Sequence, residues 1–382
     1  MIWGVLILCG LAIAKYVRLI IGYTNSWATL PVDGLSIDFH PSTSVTVIVP
    51  ARNEAKGINA CLDGILHQKY PNDLLTIVVI DDHSEDETFN LCNELSNTNS
   101  ILKVISLTED EQGKKAAITK AIDSTDSELI ITTDADCKHG ENWIRTLVSI
   151  YEQEKPSMIL APVVFHKEQT WLNRILRLEF LALMGSSGAS AQQNLPTMCN
   201  GANLCYTREA FKAVNGFDGI ADNPSGDDVF LMLKIHDQKP GSVRFTKSIE
   251  TIVATDAPSS LSAFWQQRKR WLSKKSGYSH PHVKNAAYAV FFGNMALIGS
   301  IWISTQLAGF RPIWGMGILM VASKLLADRS LLRKVATDLK CELNMFDFLL
   351  AEVFLAVYIP LIGLIGRSKR YNWKNREVNV NG

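Results

Sequence analysis

The residues best suited to chemistry fall in four short clusters, in one order along the chain: Asp81-Asp82-His83-Ser84, Thr133-Asp134-Ala135-Asp136, Gly226-Asp227-Asp228 and Gln267-Arg268-Lys269-Arg270-Trp271. Asp134 and Asp136 alternate about one alanine at the end of an apolar run. Two carboxylates at that spacing repel unless a cation lies between them, and oxygen ligands suit Mg²⁺ or Mn²⁺. The plainer reading is a turn with acidic caps. Asp82 follows the apolar run 77–80, where a carboxylate can accept a hydrogen bond from a nucleobase or ribose, or form an Asx-turn. Asp228 precedes an apolar helical stretch, 229–235, and is either a helix cap or the general base for an acceptor hydroxyl, with Asp227 the weaker candidate. Arg270 has the forked guanidinium that grips a phosphate, and Trp271 a ring that can stack on a sugar. A basic helix beside a membrane is otherwise an ordinary anchor. Lys114 follows Gly113 and precedes a helix, so it can reach a phosphate or be a plain surface lysine; the surrounding residues do not form a P-loop. His83, His139 and His166 have no ligand spacing and read as surface or loop residues, and Pro50-Ala51-Arg52-Asn53-Glu54 reads as a charged loop.

Those clusters need elements to position them. Runs rich in Val, Ile and Leu at 45–49, 75–80, 102–107 and 129–132 read as buried parallel strands. Between them, 58–67, 86–95 and 115–121 carry helical spacing, with Ser84 and Glu87 as a capping box for the second. This alternation makes an α/β sheet with crossovers, and such sheets hold ligands beyond the carboxyl ends of their strands. The loop 50–54 ends the first strand, Asp82 the second, and Asp134 with Asp136 the fourth. Further on, 142–153 and 261–276 read as helices and 158–162 as a strand. Residues 171–183, apolar with Arg174, Arg177 and Glu179 interspersed, form a helix that lies on a membrane surface or packs on the domain.

The chain has 382 residues, with Lys+Arg and Asp+Glu balanced at 38 each, so bulk charge gives no case for nucleic acid. Its 47 % apolar fraction is uneven. Residues 1–14 are uncharged and apolar, and the cations Lys15 and Arg18 come after this run, so 1–22 is read as a retained anchor and not a cleaved signal. Three more apolar stretches, 286–305, 312–326 and 346–365, fall in a C-terminal membrane region, 284–366. The first and last approach the ~20 residues a spanning helix needs. The middle one, with Pro312, Gly315 and Gly317, is a span, a re-entrant piece or an interfacial helix. Cations after the anchor and in a basic tail, 367–382, put both that tail and the domain at 43–276 in the cytoplasm by the positive-inside rule, which requires that one of the three stretches does not cross. Seven cysteines without a Cys-x-x-Cys pair suit a reducing compartment.

Together these residues resemble the inverting family-2 glycosyltransferases of GT-A fold, over about residues 45–271. Residues 47–54 are similar to the family's opening strand and Asn-Glu loop, 79–86 to its Asp-Asp-x-Ser-x-Asp, 133–136 to its Asp-x-Asp, 200–203 to its Gly-x-Asn element and Asp227-Asp228 to its base motif. Gln267-Arg268-Lys269-Arg270-Trp271 resembles the Gln-x-x-Arg-Trp of membrane-embedded members such as polysaccharide synthases and ceramide glucosyltransferases, and 371–376 a tail segment of related bacterial proteins. The resemblance implies an α/β, Rossmann-like nucleotide-sugar domain with a mostly parallel sheet, flanked by transmembrane helices. It implies that Pro50, Glu54, Asp82, Lys114 and Asp134 bind the nucleotide sugar and that Asp134 and Asp136 hold Mg²⁺ or Mn²⁺. Asp228 is then the base, and Asn203, Asp227, Gln267, Arg270 and Trp271 border the diphosphate and acceptor. The implied partners are a UDP-sugar, a lipid or glycan acceptor and membrane lipids, at a membrane of the bacterial inner (plasma) type. His83 stands where glycine is common, Lys115 where alanine is, and Asp227 where glutamate is.

Overall fold

Val45–Ala51 (β1) is buried along nearly its whole length because Val, Ile and Ala fill both of its faces, which suits the centre of a parallel sheet. The computed structural model describes residues 2–36, 38–166, 170–220, 225–272, 280–306, 311–365, 370–373 and 376–379. β1 pairs in parallel with β2 (Leu75–Asp81), which pairs with β3 (Leu102–Ser106), and on its other side with β4 (Leu129–Thr132). The chain adds β5 (Lys138–His139), β6 (Met158–Leu160), β7 (Val163–Phe165), β8 (Leu204–Thr207), β9 (Val243–Phe245) and β10 (Val253–Thr255). The main sheet runs β3-β2-β1-β4-β8-β6-β9, with β8 antiparallel to both neighbours, and β5, β10 and β7 form a second, small sheet.

After α1 (Ile2–Thr29), the crossovers are α2 (Ile58–Leu66), α3 (Thr88–Thr98), α4 (Gly113–Asp123) and α5 (Trp143–Glu154). α3 begins later than a Ser84–Glu87 capping box requires. Ser84 Oγ instead accepts the Asn53 amide at 3.0 Å, so it serves the neighbouring loop, and Asp86 Oδ1 takes the helix end by accepting the Thr88 amide at 3.0 Å.

α6 (Trp171–Gln192) is buried over most of its length, Asn173, Arg177 and Glu179 included, so it packs inside the protein and does not lie on a membrane surface. α7 (Arg208–Ala213), α8 (Asp227–Gln238) and α9 (Leu261–Leu272) complete the sheet domain, and α10 (Pro281–Gln306), α11 (Arg311–Asp338) and α12 (Met345–Ile365) follow. α6 touches α1, α11 and α12 on one side and β9 and β7 on the other. Small residues permit this: a Cβ on Gly185 would come within 2.8 Å of Val335, and one on Gly188 within 2.7 Å of Trp27 and 2.9 Å of Phe245. Polar ties reinforce the junction. Asp338 accepts from Trp27 Nε1 at 2.9 Å and from Lys247 Nζ at 3.0 Å, joining α11 to α1 and to the sheet domain.

Among the described residues, three helices are long and apolar enough to cross a membrane: Trp3–Thr29, Pro281–Ile303 and Met345–Leu364. α11 is not among them; it carries Lys324, Asp328, Arg329, Arg333 and Lys334. Lys324 is buried and donates to Asp328 at 2.8 Å and Glu352 at 2.6 Å, so its charge is matched within the bundle. Within the segment read as a basic tail, β11 (Arg370–Trp373) and β12 (Arg376–Asn379) pair as an antiparallel hairpin beside α9. Gly188→Ala is expected to destabilise the protein by about 1–3 kcal/mol through overpacking against Trp27 and Phe245. Thermal unfolding in detergent checks this, with Gly4→Ala, which meets nothing within 4 Å, as the unmoved control.

Candidate active site

The loops that follow β1 and β2 are cross-linked to each other before any ligand is considered. Arg52, buried at the end of β1, donates to the carbonyls of Asp82 at 2.7 Å and His83 at 2.8 Å. Asn53 Oδ1 accepts the Glu85 amide at 2.8 Å, and the Glu54 amide donates to Thr88 Oγ1 at 2.7 Å. Residues 50–54 are therefore a fixed wall and not merely a charged loop. Asn53 and His83 take left-handed backbone, at φ 51° and 56°. That conformation explains why glycine suits the position of His83, whose ring is retained by a hydrogen bond between Nε2 and the Glu111 carbonyl at 2.9 Å.

This wall faces a cleft at the carboxyl ends of β1, β2 and β4. Pro50, Ala51, Arg52, Glu54, Asp82, Lys114, Ala117, Asp134, Ala135, Asp136 and Arg270 line it. Asp82 is buried and its Oδ2 accepts the Gly113 amide at 3.1 Å; Gly113 has φ 86°, a turn that a side chain would strain. The turn starts α4 so that Lys114 points back to the strand ends. Lys114 Nζ lies 2.6 Å from Asp134 Oδ1 and 3.9 Å from Asp227 Oδ2. Burial works against the Lys114 charge, but Asp134 and Asp227 outweigh it and hold its pKa above the ordinary lysine value. Burial likewise works against ionised Asp134, and Lys114, with Arg270 behind it, holds that carboxyl below the usual range.

Asp228 stands next to this group at the start of α8, which turns out of Gly226 at φ 92°. Its Oδ2 accepts the Gly201 amide at 3.1 Å and its Oδ1 the Val229 amide at 2.8 Å, two bonds that aim the carboxylate. A Cβ on Gly201 would lie 3.1 Å from Lys114 Nζ and 3.3 Å from Asp228 Cβ, so glycine is what lets these segments meet. The oxygen donors of Asp134 and Asp136 suit a hard divalent cation, and the Lys114 ammonium already marks where positive charge is drawn. Among the described residues no group of three or more His, Cys, Asp or Glu is arranged to hold a metal ion. Asp134 and Asp136 would thus offer such a cation one or two carboxylate oxygens and leave its other positions open.

Three expected positions lie elsewhere. Asn203 is fully buried: its Nδ2 donates to the carbonyls of Pro162 and Thr251, both at 2.8 Å, and its Oδ1 accepts from Trp143 Nε1 at 2.9 Å. With those groups spent internally it is a brace under the 200–203 turn and does not border an acceptor or diphosphate. Gln267 and Trp271 are not on the cleft wall. The Gln267 Oε1 is buried with no partner, and the Trp271 ring is covered by the Arg268 guanidinium, 3.9 Å from its centroid. Arg268 is buried and pairs with Glu179 of α6 at 2.5 Å, which anchors α9.

His139 is no surface residue either. Its Nε2 lies 2.8 Å from Thr133 Oγ1, its Nδ1 is buried, and its ring packs 4.3 Å from that of Trp143, beneath the strand end that carries Asp134. Only the short reach from Thr133 to His139 could have signalled this contact in the sequence. Burial lowers its pKa to about 3, so it is neutral at working pH. The unfolded chain binds a proton below about pH 6.5 that the folded protein refuses. This contribution to stability is complete above that pH and declines as pH falls towards about 3. Between pH 6.5 and 4.5 the wild-type unfolding midpoint is expected to fall more than that of His139→Gln; parallel curves would refute the assignment.

Residues 46–214 match the sequence profile of Glycosyl transferase family 2. An N-acetylglucosaminyltransferase of Azorhizobium caulinodans is 28 % identical over 68 % of this chain and 68 % of that protein. A beta-monoglucosyldiacylglycerol synthase of Trichormus variabilis is 24 % identical over 59 % of this chain and 48 % of that protein. The chain spans about half to two thirds of the length of the curated relatives it matches. A mannosyltransferase from Pyrobaculum calidifontis, solved with GDP-Man and Mn²⁺, superposes with a TM-score of 0.62 at 20 % identity, over 94 % of this chain and 99 % of that one, and shares the fold. With the strand-end acids, the crossover sheet and the family profile in agreement, residues 46–214 form a glycosyl transferase family 2 domain on a sheet of GT-A fold.

Proposed function

We propose that this glycosyltransferase moves a hexose or N-acetylhexosamine from a nucleotide-diphosphate sugar, UDP-linked by the sequence resemblance, to a lipid or glycan hydroxyl with inversion at the anomeric carbon. The observation that carries the reading is one cleft that joins Glu54 and Asp82 at one end to Lys114, Asp134, Asp136 and Arg270 at the other, with Asp228 adjoining. Asp82 and the wall of 50–54 receive the nucleoside, and Lys114 and Arg270 face the diphosphate. Asp228 takes the proton from the acceptor hydroxyl as that oxygen attacks the anomeric carbon and the nucleoside diphosphate leaves. A single displacement needs one base and a stabilised leaving group, and no enzyme nucleophile. A divalent cation at Asp134 and Asp136, when bound, neutralises charge on the departing diphosphate.

Relatives that bear the names N-acetylglucosaminyltransferase and monoglucosyldiacylglycerol synthase support both the sugar class and a lipid or short-glycan acceptor. The Mn²⁺ of the mannosyltransferase of like fold supports the cation. Three apolar helices support a membrane site, and the positive-inside pattern a cytoplasmic catalytic face.

Incubation of the purified protein with membranes, labelled UDP-sugars and Mn²⁺ tests this. The expected outcome is a nucleoside diphosphate and a labelled lipid or short glycan. A polymer ladder would instead make the protein a processive polysaccharide synthase, and release of pyrophosphate would make it a nucleotidyltransferase. Asp228→Asn is expected to lower turnover by about 10²–10⁴-fold with donor affinity kept. Asp136→Ala should abolish metal-dependent turnover, and retained turnover would remove Asp136 from the cation site. Neither transfer nor donor hydrolysis by the metal-supplied wild type, with no cellular effect of Asp228→Asn, would point to a non-catalytic membrane protein on this fold.

A further inference from the structure

A second concavity opens where α1 and α10 meet the underside of the sheet domain. Small residues create it: Gly22 on α1 and Ala286 and Ala289 on α10 leave a groove that larger side chains would fill. Lys15 and Arg18, close to one turn apart on α1, border this groove together with His282. Both cations are exposed, and no carboxylate is among the groove's described lining residues.

Its depth relative to a bilayer follows from α1 itself. Trp3, Ile7, Leu8 and Leu11 are more than half exposed, which a helix accepts only where lipid covers them. At ~1.5 Å per residue, Lys15 and Arg18 lie about 6 and 10 Å beyond Leu11 along the helix. Their long stems let the two charges extend from this apolar stretch towards the headgroups of the leaflet facing the sheet domain. Farther along, Tyr23 and Trp27 are buried against protein.

We propose that this groove is a binding site for an anionic phospholipid of the leaflet facing the sheet domain. Lys15 and Arg18 pair with the headgroup phosphate, and an acyl chain lies along the small-residue seam between α1 and α10. Charge complementarity, two exposed cations with no carboxylate among the described lining residues, is what selects an anionic lipid over a neutral one. The site rests on α1 crossing a membrane and is independent of which sugar the enzyme transfers.

Native mass spectrometry of the full chain in neutral detergent tests it, with short-chain phosphatidylglycerol, phosphatidylcholine and inorganic phosphate as the probes. Phosphatidylglycerol is expected to be retained in preference to phosphatidylcholine. Lys15→Gln with Arg18→Gln should weaken phosphatidylglycerol about 30-fold at low salt, the effect of two interfacial cations, and leave phosphatidylcholine unchanged. Lys103→Gln with Lys212→Gln, exposed cations of the sheet domain, should change neither. Ala286→Leu fills the groove without altering charge and should also weaken phosphatidylglycerol, which keeps the proposal testable if the double variant does not fold. Equal retention of the two lipids, or of phosphatidylglycerol by wild type and Ala286→Leu, would overturn it. Displacement of phosphatidylglycerol by inorganic phosphate at comparable concentration would overturn it too, since a free-anion site needs no lipid. Sugar transfer by the same preparations reports on catalysis separately.

Discussion

A single ammonium holds together carboxylates that would otherwise drive one another apart. Like charges about 4 Å apart repel by about 4 kcal/mol at an effective dielectric of 20, so acids from separate elements do not share a cleft for nothing. Lys114 reaches Asp134 at the end of β4 and Asp227 at the start of α8, and its own placement comes from the left-handed Gly113 turn whose amide is held by Asp82. One chain of contacts thus runs from the end of β2, through the start of α4, to the end of β4 and the start of α8. Lys114 and Arg270 both act on the strand-end Asp134, so positive and negative charge meet in the same cleft. The same constraint explains why Gly201 carries no side chain: the turn that grips Asp228 passes within van der Waals reach of Lys114.

Rigidity on the side of residues 50–54 has a different origin. There the backbone is bound to backbone and side chain across two loops, with Arg52 spanning the carbonyls of Asp82 and His83. Two non-glycine residues in left-handed conformation, Asn53 and His83, cost energy that these bonds offset. The cleft wall is therefore set by the protein and does not wait for a ligand to order it.

The parallel strands and their acidic ends were legible because burial on both faces writes continuous runs of Val, Ile and Leu, and because a strand-end carboxylate follows such a run directly. β4 occupies 129–132 as read, and β1 and β2 extend only one or two residues further. What the sequence could not reveal were partners far apart along the chain. Asn203 spends its amide on Trp143, Pro162 and Thr251, and nothing in the order Asn200-Gly201-Ala202-Asn203 separates that brace from a ligand contact. Local pattern misled at Ser84 and Glu87, where the capping-box spacing is present but the serine is occupied by Asn53. The helix at 171–183 had two readings because its charged residues look solvated in sequence; Glu179 is in fact matched by Arg268.

That last pair connects the membrane helices to the chemistry. Residues two apart on a helix point about 200° away from each other, so Arg268 and Arg270 on α9 face opposite ways. Arg268 is locked to Glu179 inside α6, while Arg270 joins the cleft wall and acts on Asp134. α6 in turn is wedged between α1, α11 and α12 by Gly185 and Gly188. The position of the Arg270 cation in the cleft is thereby fixed by how tightly the apolar helices pack.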